Sequence, residues 1–390
     1  MNIAILIPTL SYGGAERVAA EISKHFSQNG HNIYIFTEQQ KSEKYDFTGK
    51  IVRLKYFGEG YSNFNSWHGT VYGLFKRAAE VRKLKIQYGI DVSISFMELY
   101  NIVNILSKTD DRVIVRICTV ISVYNHSEKL YNAKLIKYLY NKADCVITIS
   151  RYGMKDMVEN YGIRKKIIKV IPNSIETSEE LFTSEQWGYG ENAIICLARV
   201  CAEKQQKLLV EIFAEIKHQI RDARLIFVGN AEGKYAASVQ EIIDKLGMAE
   251  SVVFKGHVNN VKYYLNHSKL YVLFSKVEGF GNATIEALSM GVPVMCMDSP
   301  GASREILAPH TKAKNLNEID YAQYGILVPY VDETVNNQIA IERKKLISRS
   351  IIEILNNEKL LTEYSGKGKE RASMFDINRI GKMWDQVLGE

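Results

Sequence analysis

A short apolar run, an amphipathic stretch and another short apolar run follow one another along almost the whole of this chain. That alternation restricts it to parallel sheets with helices on their faces. In the first half, Ile3 to Ile7, Asn32 to Thr37, Asp91 to Phe96, Arg112 to Cys118 and Cys145 to Ile149 read as strands. Between them SYGGAERVAAEISKHFSQNG, ending at Gly30, and the segments Tyr72 to Tyr88 and about Glu128 to Lys142 read as helices. RKKIIKVIPNSI closes this half. The pattern restarts at Ala193 with AIICLARV and runs through helix Gln206 to His218, strand Arg224 to Gly229, helix Tyr235 to Leu246 and strand Val252 to Phe254. Helix Asn260 to Asn266 and strand Leu270 to Phe274 follow, and from about Asn337 to Glu390 the sequence is largely helical. There is no repeat at solenoid period.

At 390 residues the chain exceeds one small core, which predicts two domains of ordinary size. The polar, aperiodic stretch Asn173 to Glu191 reads as the link. The expected division is 1–175, 176–370, and a last helix over 371–390 around Trp384. With 46% hydrophobic and 24% charged residues, the composition is that of a soluble globular protein. No apolar run reaches the roughly 18 to 20 residues that span a bilayer. The opening MNIAILIPTL lacks the basic start of a signal peptide and reads as a buried first strand. The cysteines (Cys118, Cys145, Cys196, Cys201, Cys296) form no C-x-x-C and lie mostly in apolar runs, so reduced core thiols in a cytoplasmic protein are expected. Residues 1 to 175 hold 25 Lys/Arg against 15 Asp/Glu, a net of +10, and the remainder 25 against 29, a net of −4. The basic half suits an anionic partner, or is a solvated lysine-rich surface.

Chemistry concentrates in FSKVEGFGNATIEALSMGVPVMCMDSPGASRE, Phe274 to Glu305. Glu278 and Glu286 there bracket a loop holding Gly279 and Gly281, between an apolar strand and a helix read as about Ala283 to Met290. The unpaired N–H groups of a helix start carry partial positive charge, so Gly279 to Ala283 suit a phosphate. The flanking carboxylates suit sugar hydroxyls, with Glu286 read as a first-turn residue. Together they point to a nucleotide sugar. The competing reading is a surface acid and a glutamate favoured by the helix dipole. Arg199 and Lys204, in CLARVCAEKQQ, lie between another strand and helix, at the sheet edge where α/β proteins bind ligands. Such a pair is alternatively a plain solvent-facing one. Gly13 and Gly14, in SYGGAER, form a turn after the first strand that is not G-x-G-x-x-G.

The Glu-x7-Glu arrangement of Glu278 and Glu286, with the following ALSMGVPVMCMDSPGASREIL, resembles retaining glycosyltransferases of family 4 (group 1). The resemblance implies a GT-B fold: two Rossmann-like α/β domains with parallel sheets facing across a cleft, and a C-terminal helix crossing back to the N-terminal domain. It implies that Arg199 and Lys204 neutralise the departing diphosphate. Glu278 would contact donor-sugar hydroxyls and Glu286 the ribose, while Gly279, Phe280, Gly281 and Asn282 would offer backbone amides to sugar or phosphate. Gly13 and Gly14 would approach the diphosphate and acceptor from the other domain. The implied reaction transfers a hexose or N-acetylhexosamine from a UDP-sugar, with retention, to a glycan or lipid-linked acceptor of bacterial surface polysaccharide.

No D-x-D occurs in the sequence, so transfer is expected to need no metal and no cofactor besides the nucleotide-sugar co-substrate. The family's N-terminal-domain histidine has no match at the end of Arg112 to Cys118; His126, further on, and Arg116 are the acceptor-side candidates. LFKRAAEVRKLK and KLYNAKLIKYLYNK mix aromatic and basic residues, which suits either an anionic membrane surface at the inner leaflet or a core stripe with a solvated back. The rivals are a UDP-sugar epimerase of related fold, which needs proton-transfer acids in place of this cation and carboxylate set, and a non-catalytic GT-B subunit stabilising a partner transferase. Nucleic-acid binding has no supporting motif.

Overall fold

The computed structural model describes residues 1–11, 13–38, 45–55, 67–124, 133–175, 186–311 and 316–389, with backbone alone at 67–71. The chain forms two compact units: Met1–Ser174 with Ile377–Glu390, and Ile175–Asp376. It passes between them at Ser174 and again after Asp376. Residues 176–185 of the expected link lie outside the described residues.

The first unit runs β1 (Asn2–Leu6), α1 (Gly14–Gln28), β2 (Asn32–Thr37), β3 (Lys50–Arg53), α2 (Trp67–Gln87), β4 (Val92–Phe96) and α3 (Glu98–Leu106). It continues with β5 (Arg112–Ile117), α4 (Ile121–Tyr124), α5 (Ala133–Tyr140), β6 (Cys145–Thr148), α6 (Arg151–Glu159) and β7 (Ile168–Val170). Its sheet has the order β3-β2-β1-β4-β5-β6-β7, with parallel pairing throughout. Side chains alternate between its two faces. Ile3 and Ile5 pack with Val18, Ile22 and Phe26 of α1, whereas Ala4 and Leu6 join the core of α2, α3 and α5. Both faces are thus covered, which explains why β4 is buried at every position despite its two serines. Behind it Lys85 and Asp111, both fully buried, form an ion pair of 2.8 Å. Ser93 donates to Asp111 at 2.5 Å, so the pair is also hydrogen-bonded. β3 was not legible in the sequence, since four residues are too few to show a period. The first five residues of the expected helix Glu128 to Lys142 lie outside the described residues; Ala133 to Tyr140 is helical.

The second unit runs β8 (Ala193–Leu197), α7 (Gln206–Gln219), β9 (Arg224–Val228), α8 (Gly233–Lys245), β10 (Val252–Gly256), α9 (Val261–Asn266) and β11 (Leu270–Leu273). Then come α10 (Asn282–Ser289), β12 (Val294–Met297), α11 (Ser303–Leu307), β13 (Asp320–Tyr321), β14 (Ile326–Val328), α12 (Gln338–Leu355) and α13 (Glu358–Ser373). The sheet order is β10-β9-β8-β11-β12-β14-β13, and β13 is antiparallel to β14. α14 (Ile377–Gly389) belongs to the first unit again. Trp384 is fully buried there, edge-on to Phe26 at 6.2 Å. Asp385 holds His25 of α1 at 2.9 Å, and Arg112 donates to the Val387 carbonyl. The last helix is therefore part of the first unit's core.

In each sheet the strand order reverses beside the first strand of the unit, between β1 and β4 and between β8 and β11. At such a switch point neighbouring connections leave on opposite faces and open a crevice at the carboxyl ends of the strands, the usual ligand site of an open α/β sheet.

Candidate active site

In the second unit the switch point is spanned by an ion pair. Lys204, on the loop after β8, places its Nζ 2.5 Å from Oε2 of Glu278, on the loop after β11. Ser275 donates to the same carboxylate oxygen at 3.1 Å. Both charged side chains are mostly buried, at 16% and 14% exposure, so the attraction is screened less than at a surface.

The two loops are fixed from below. Residues Ala202 to Lys204 form a single 3-10 turn, closed by Lys204 N–H to the Cys201 carbonyl at 2.9 Å. The Glu203 carbonyl accepts from Lys276 N–H at 2.7 Å, which ties this turn to the loop after β11. Lys276 in turn pairs with Asp332 at 2.9 Å, on the segment after β14. Gln206 donates to the Arg199 carbonyl at 2.9 Å and accepts from Cys201 N–H at 3.2 Å. The exposed Arg199 side chain thus stands on a loop braced at both ends. Glu278 itself bridges to the segment after β12: its N–H donates to the Pro300 carbonyl at 3.0 Å, and its carbonyl accepts from Ala302 N–H at 3.1 Å. Beneath lie Cys196 and Cys296, fully buried thiols that burial pushes up to about 12.

α10 begins at Asn282, after Gly281 in the left-handed conformation at φ 92°. Glycine offers no side-chain cap, so the first-turn N–H groups face the loop. The helix starts one residue earlier than the sequence suggested, and Glu286 is its fifth residue, not a first-turn one. The dipole explanation for Glu286 therefore fails, because that effect fades beyond the first turn. Four residues apart, Asn282 and Glu286 share one face of α10. Phe280 is anchored in the core, 5.5 Å from the Phe375 ring, so only its backbone is available to a ligand.

The remaining candidates belong to the first unit or lie outside the described residues. Gly13 and Gly14 lie in the first unit, where Gly13 at φ 141° precedes α1 and Gly14 is its first residue. The Glu16 carboxylate folds over Gly13, with Oε2 2.2 Å from where a Cβ would stand. Burial raises the pKa of that carboxyl. Arg116 does not face a cleft. It is fully buried, donating to Asn173 at 2.6 Å and to the Ile171 carbonyl at 3.3 Å, with its guanidinium between the rings of Phe96 and Trp384. Burial pulls its pKa down to about 10. His126, like Tyr12 of SYGGAER, lies outside the described residues.

Two residues at these edges carry no motif. Met97, after β4, has φ 69° and ψ 151°, a region almost reserved for glycine. Gln205 is left-handed at φ 51° and fully buried. Nothing in the string Lys-Gln-Gln marks a strained backbone.

Two α/β units, each with a strand-order switch beside its first strand, are the architecture expected of the GT-B class of sugar-transferring proteins. Residues 12–179 match the family model Glycosyltransferase Family 4, and residues 177–317 match Glycosyl transferases group 1. The uncharacterized glycosyltransferase MJ1059 of Methanocaldococcus jannaschii is 30% identical over 285 residues, covering 68% of this chain and 69% of the relative. A Campylobacter jejuni GalNAc-alpha-(1->4)-GalNAc-alpha-(1->3)-diNAcBac-PP-undecaprenol alpha-1,4-N-acetyl-D-galactosaminyltransferase is 25% identical, covering 100% of this chain and 99% of that one. Among solved structures, Anabaena Alr3699/HepE in complex with UDP superposes with a TM-score of 0.77 at 17% identity, over the full length of both chains. The chain belongs to glycosyltransferase family 4, the group 1 glycosyltransferases, and is a transferase of the GT-B fold.

Proposed function

We propose that this glycosyltransferase moves a hexose or N-acetylhexosamine from a UDP-sugar to a glycan or lipid-linked acceptor, with retention of anomeric configuration and without a metal ion. The observation that carries the reading is the Lys204–Glu278 pair across the switch point, with Arg199 on the same loop and the open end of α10 beside it. In this reading Glu286 accepts from the ribose hydroxyls and the N–H groups from Gly279 to Asn282 meet phosphate or sugar. Lys204 exchanges part of its contact with Glu278 for the diphosphate, and Arg199 grips the same group in two-pronged fashion. Both cations thereby stabilise the charge that grows on the leaving nucleotide. Glu278, partly released, takes a sugar hydroxyl. The bond from the anomeric carbon to the diphosphate oxygen breaks as the acceptor oxygen bonds on the same face, and the acceptor proton passes to a phosphate oxygen. No side-chain base is required. Gly13 and Gly14 of the first unit are assigned to the diphosphate and acceptor. The choice of UDP is supported by the UDP complex of the Anabaena neighbour, and a lipid-linked acceptor by the undecaprenol in the Campylobacter relative's name.

The test is UDP release and product analysis with UDP-glucose, UDP-galactose and their N-acetyl forms, in excess chelator, against undecaprenyl-diphosphate-linked sugars. Turnover undiminished by chelator, with an α-linked product by NMR, is expected; a β-linked product, or turnover restored only by added magnesium or manganese, would overturn it.

An anionic membrane surface is the proposed site of work. α2 exposes Tyr72 and Phe75 by 62% each and Ile86 by 64%, and α5 exposes Tyr138 by 63%. Lys76 lies over the Tyr72 ring at 4.6 Å and Lys142 over that of Tyr138 at 3.9 Å. Aromatic residues interleaved with lysines suit the headgroup layer at the cytoplasmic leaflet. No helix among the described residues is long and apolar enough to cross a membrane. In liposome flotation the protein should rise with vesicles containing anionic lipid and stay behind with neutral ones; equal behaviour with both argues against this surface.

A further inference from the structure

Resting on the donor-site reading above, we infer that Gln205 is a positioning residue that sets Lys204 against Glu278. Its backbone is left-handed, at φ 51° and ψ 43°, between the 3-10 turn that ends at Lys204 and the first residue of α7. A glycine would adopt this conformation at no steric cost, whereas glutamine adopts it against strain. What glutamine adds is its amide. The fully buried Nε2 donates to the Phe274 carbonyl at 2.9 Å and to the Val331 carbonyl at 3.0 Å, while Oε1 accepts from Glu333 N–H at 2.8 Å. One side chain therefore links the loops that follow β8, β11 and β14.

Those links reach the reacting groups by short paths. Lys204 is the residue before Gln205, and Phe274 immediately precedes Ser275, which donates to Glu278. Both members of the ion pair thus hang from the same amide. The segment held at Val331 and Glu333 includes Asp332, which fixes Lys276 and through it the Glu203 carbonyl. Strain retained at a sheet's ligand-binding edge, together with three satisfied hydrogen bonds that a smaller residue would forgo, is the pattern of a backbone held for function.

The experiment compares Gln205→Gly, which keeps the left-handed backbone and removes the amide, with Gln205→Glu, which keeps the shape but cannot donate to the two carbonyls. Each is made alone and on Lys204→Ala, and UDP release from the four UDP-sugars above is measured alongside the melting temperature. With Lys204 present, each variant should lower kcat by about 10², the scale of a small displacement of a reacting group, with the Kd for UDP far less affected. On Lys204→Ala the same changes should have little further effect, because the group they position is gone. A Gln205 that only holds the fold would lower the melting temperature and leave kcat per folded molecule at the value of its own parent, wild type or Lys204→Ala, which overturns the inference. If neither variant folds, Gln205→Asn, which tolerates the left-handed backbone but is too short for the bridge, is measured instead. Failure of all three to fold assigns Gln205 to the fold and also overturns it. Wild-type turnover in Lys204→Ala itself would mean that the donor-site reading has failed, whatever the Gln205 variants do.

Discussion

Lys204→Ala is expected to lower kcat by roughly 10²–10³ while the protein stays folded. The removed ammonium is one of two cations assigned to the leaving diphosphate, and it acts from a site mostly withdrawn from water. Loss of a single pre-placed charge donor of this kind raises a barrier by about 2.7–4 kcal/mol. The cost to folding is a separate one. Glu278 keeps the Ser275 hydroxyl as a donor, so the abandoned, mostly buried carboxylate should cost about 3 kcal/mol, the low end for a broken buried pair. A domain of ordinary stability, about 5–15 kcal/mol, survives that. Steady-state kinetics and thermal melts on the same preparation separate the two effects. Wild-type kcat in a folded Lys204→Ala would remove this residue from the chemistry.

Gly301→Ala should cost roughly 2–5 kcal/mol and abolish transfer, although residue 301 offers a ligand nothing. Gly301 has φ 127°, and a Cβ built there would stand 1.8 Å from the Glu278 carbonyl oxygen. The collision is with backbone, which no rotamer change relieves. Relief would have to break the paired hydrogen bonds of Glu278 with Pro300 and Ala302, and so shift the carboxylate proposed to meet the donor sugar. Gly247→Ala is the control: it has a similarly left-handed φ of 67° with nothing within 4 Å, and should cost only about 1–2 kcal/mol. Equal melting temperatures for the two variants would show that the close approach at Gly301 is not rigid.

Much of this was legible from the residues alone, for reasons that differ by element. The strands flanking the site are short apolar runs followed by polar segments, so the positions of Glu278, Arg199 and Lys204 at strand ends followed from order along the chain. The return of the last helix, around Trp384, was implied by the family resemblance and not by the residues themselves. Directions of side chains were less accessible. Arg116 was a candidate because it is a cation near a strand's end, yet it lies within a parallel sheet covered on both faces, where a long side chain is buried. The near-continuous apolar run around it in VIVRICTV held that information. The one-residue difference at the start of α10 moved Glu286 out of the first turn, because Gly281, not a side-chain cap, ends the loop. Gln205 and Met97 could not be found, since a left-handed or glycine-like backbone at a residue with a side chain is imposed by tertiary contacts and leaves no composition behind.

Whether the second unit holds a nucleotide sugar through Glu286 and the cations of the loop after β8 is decided by thermal shift against UDP, GDP and ADP and their sugars in the presence of chelator. A ligand that binds only the folded state raises the transition with its occupancy. Stabilisation by the uridine series is expected, lost in Glu286→Ala and in Arg199→Ala while both variants alone melt near the wild type. Absence of a shift with every nucleotide, or an undiminished shift in both variants, would contradict it.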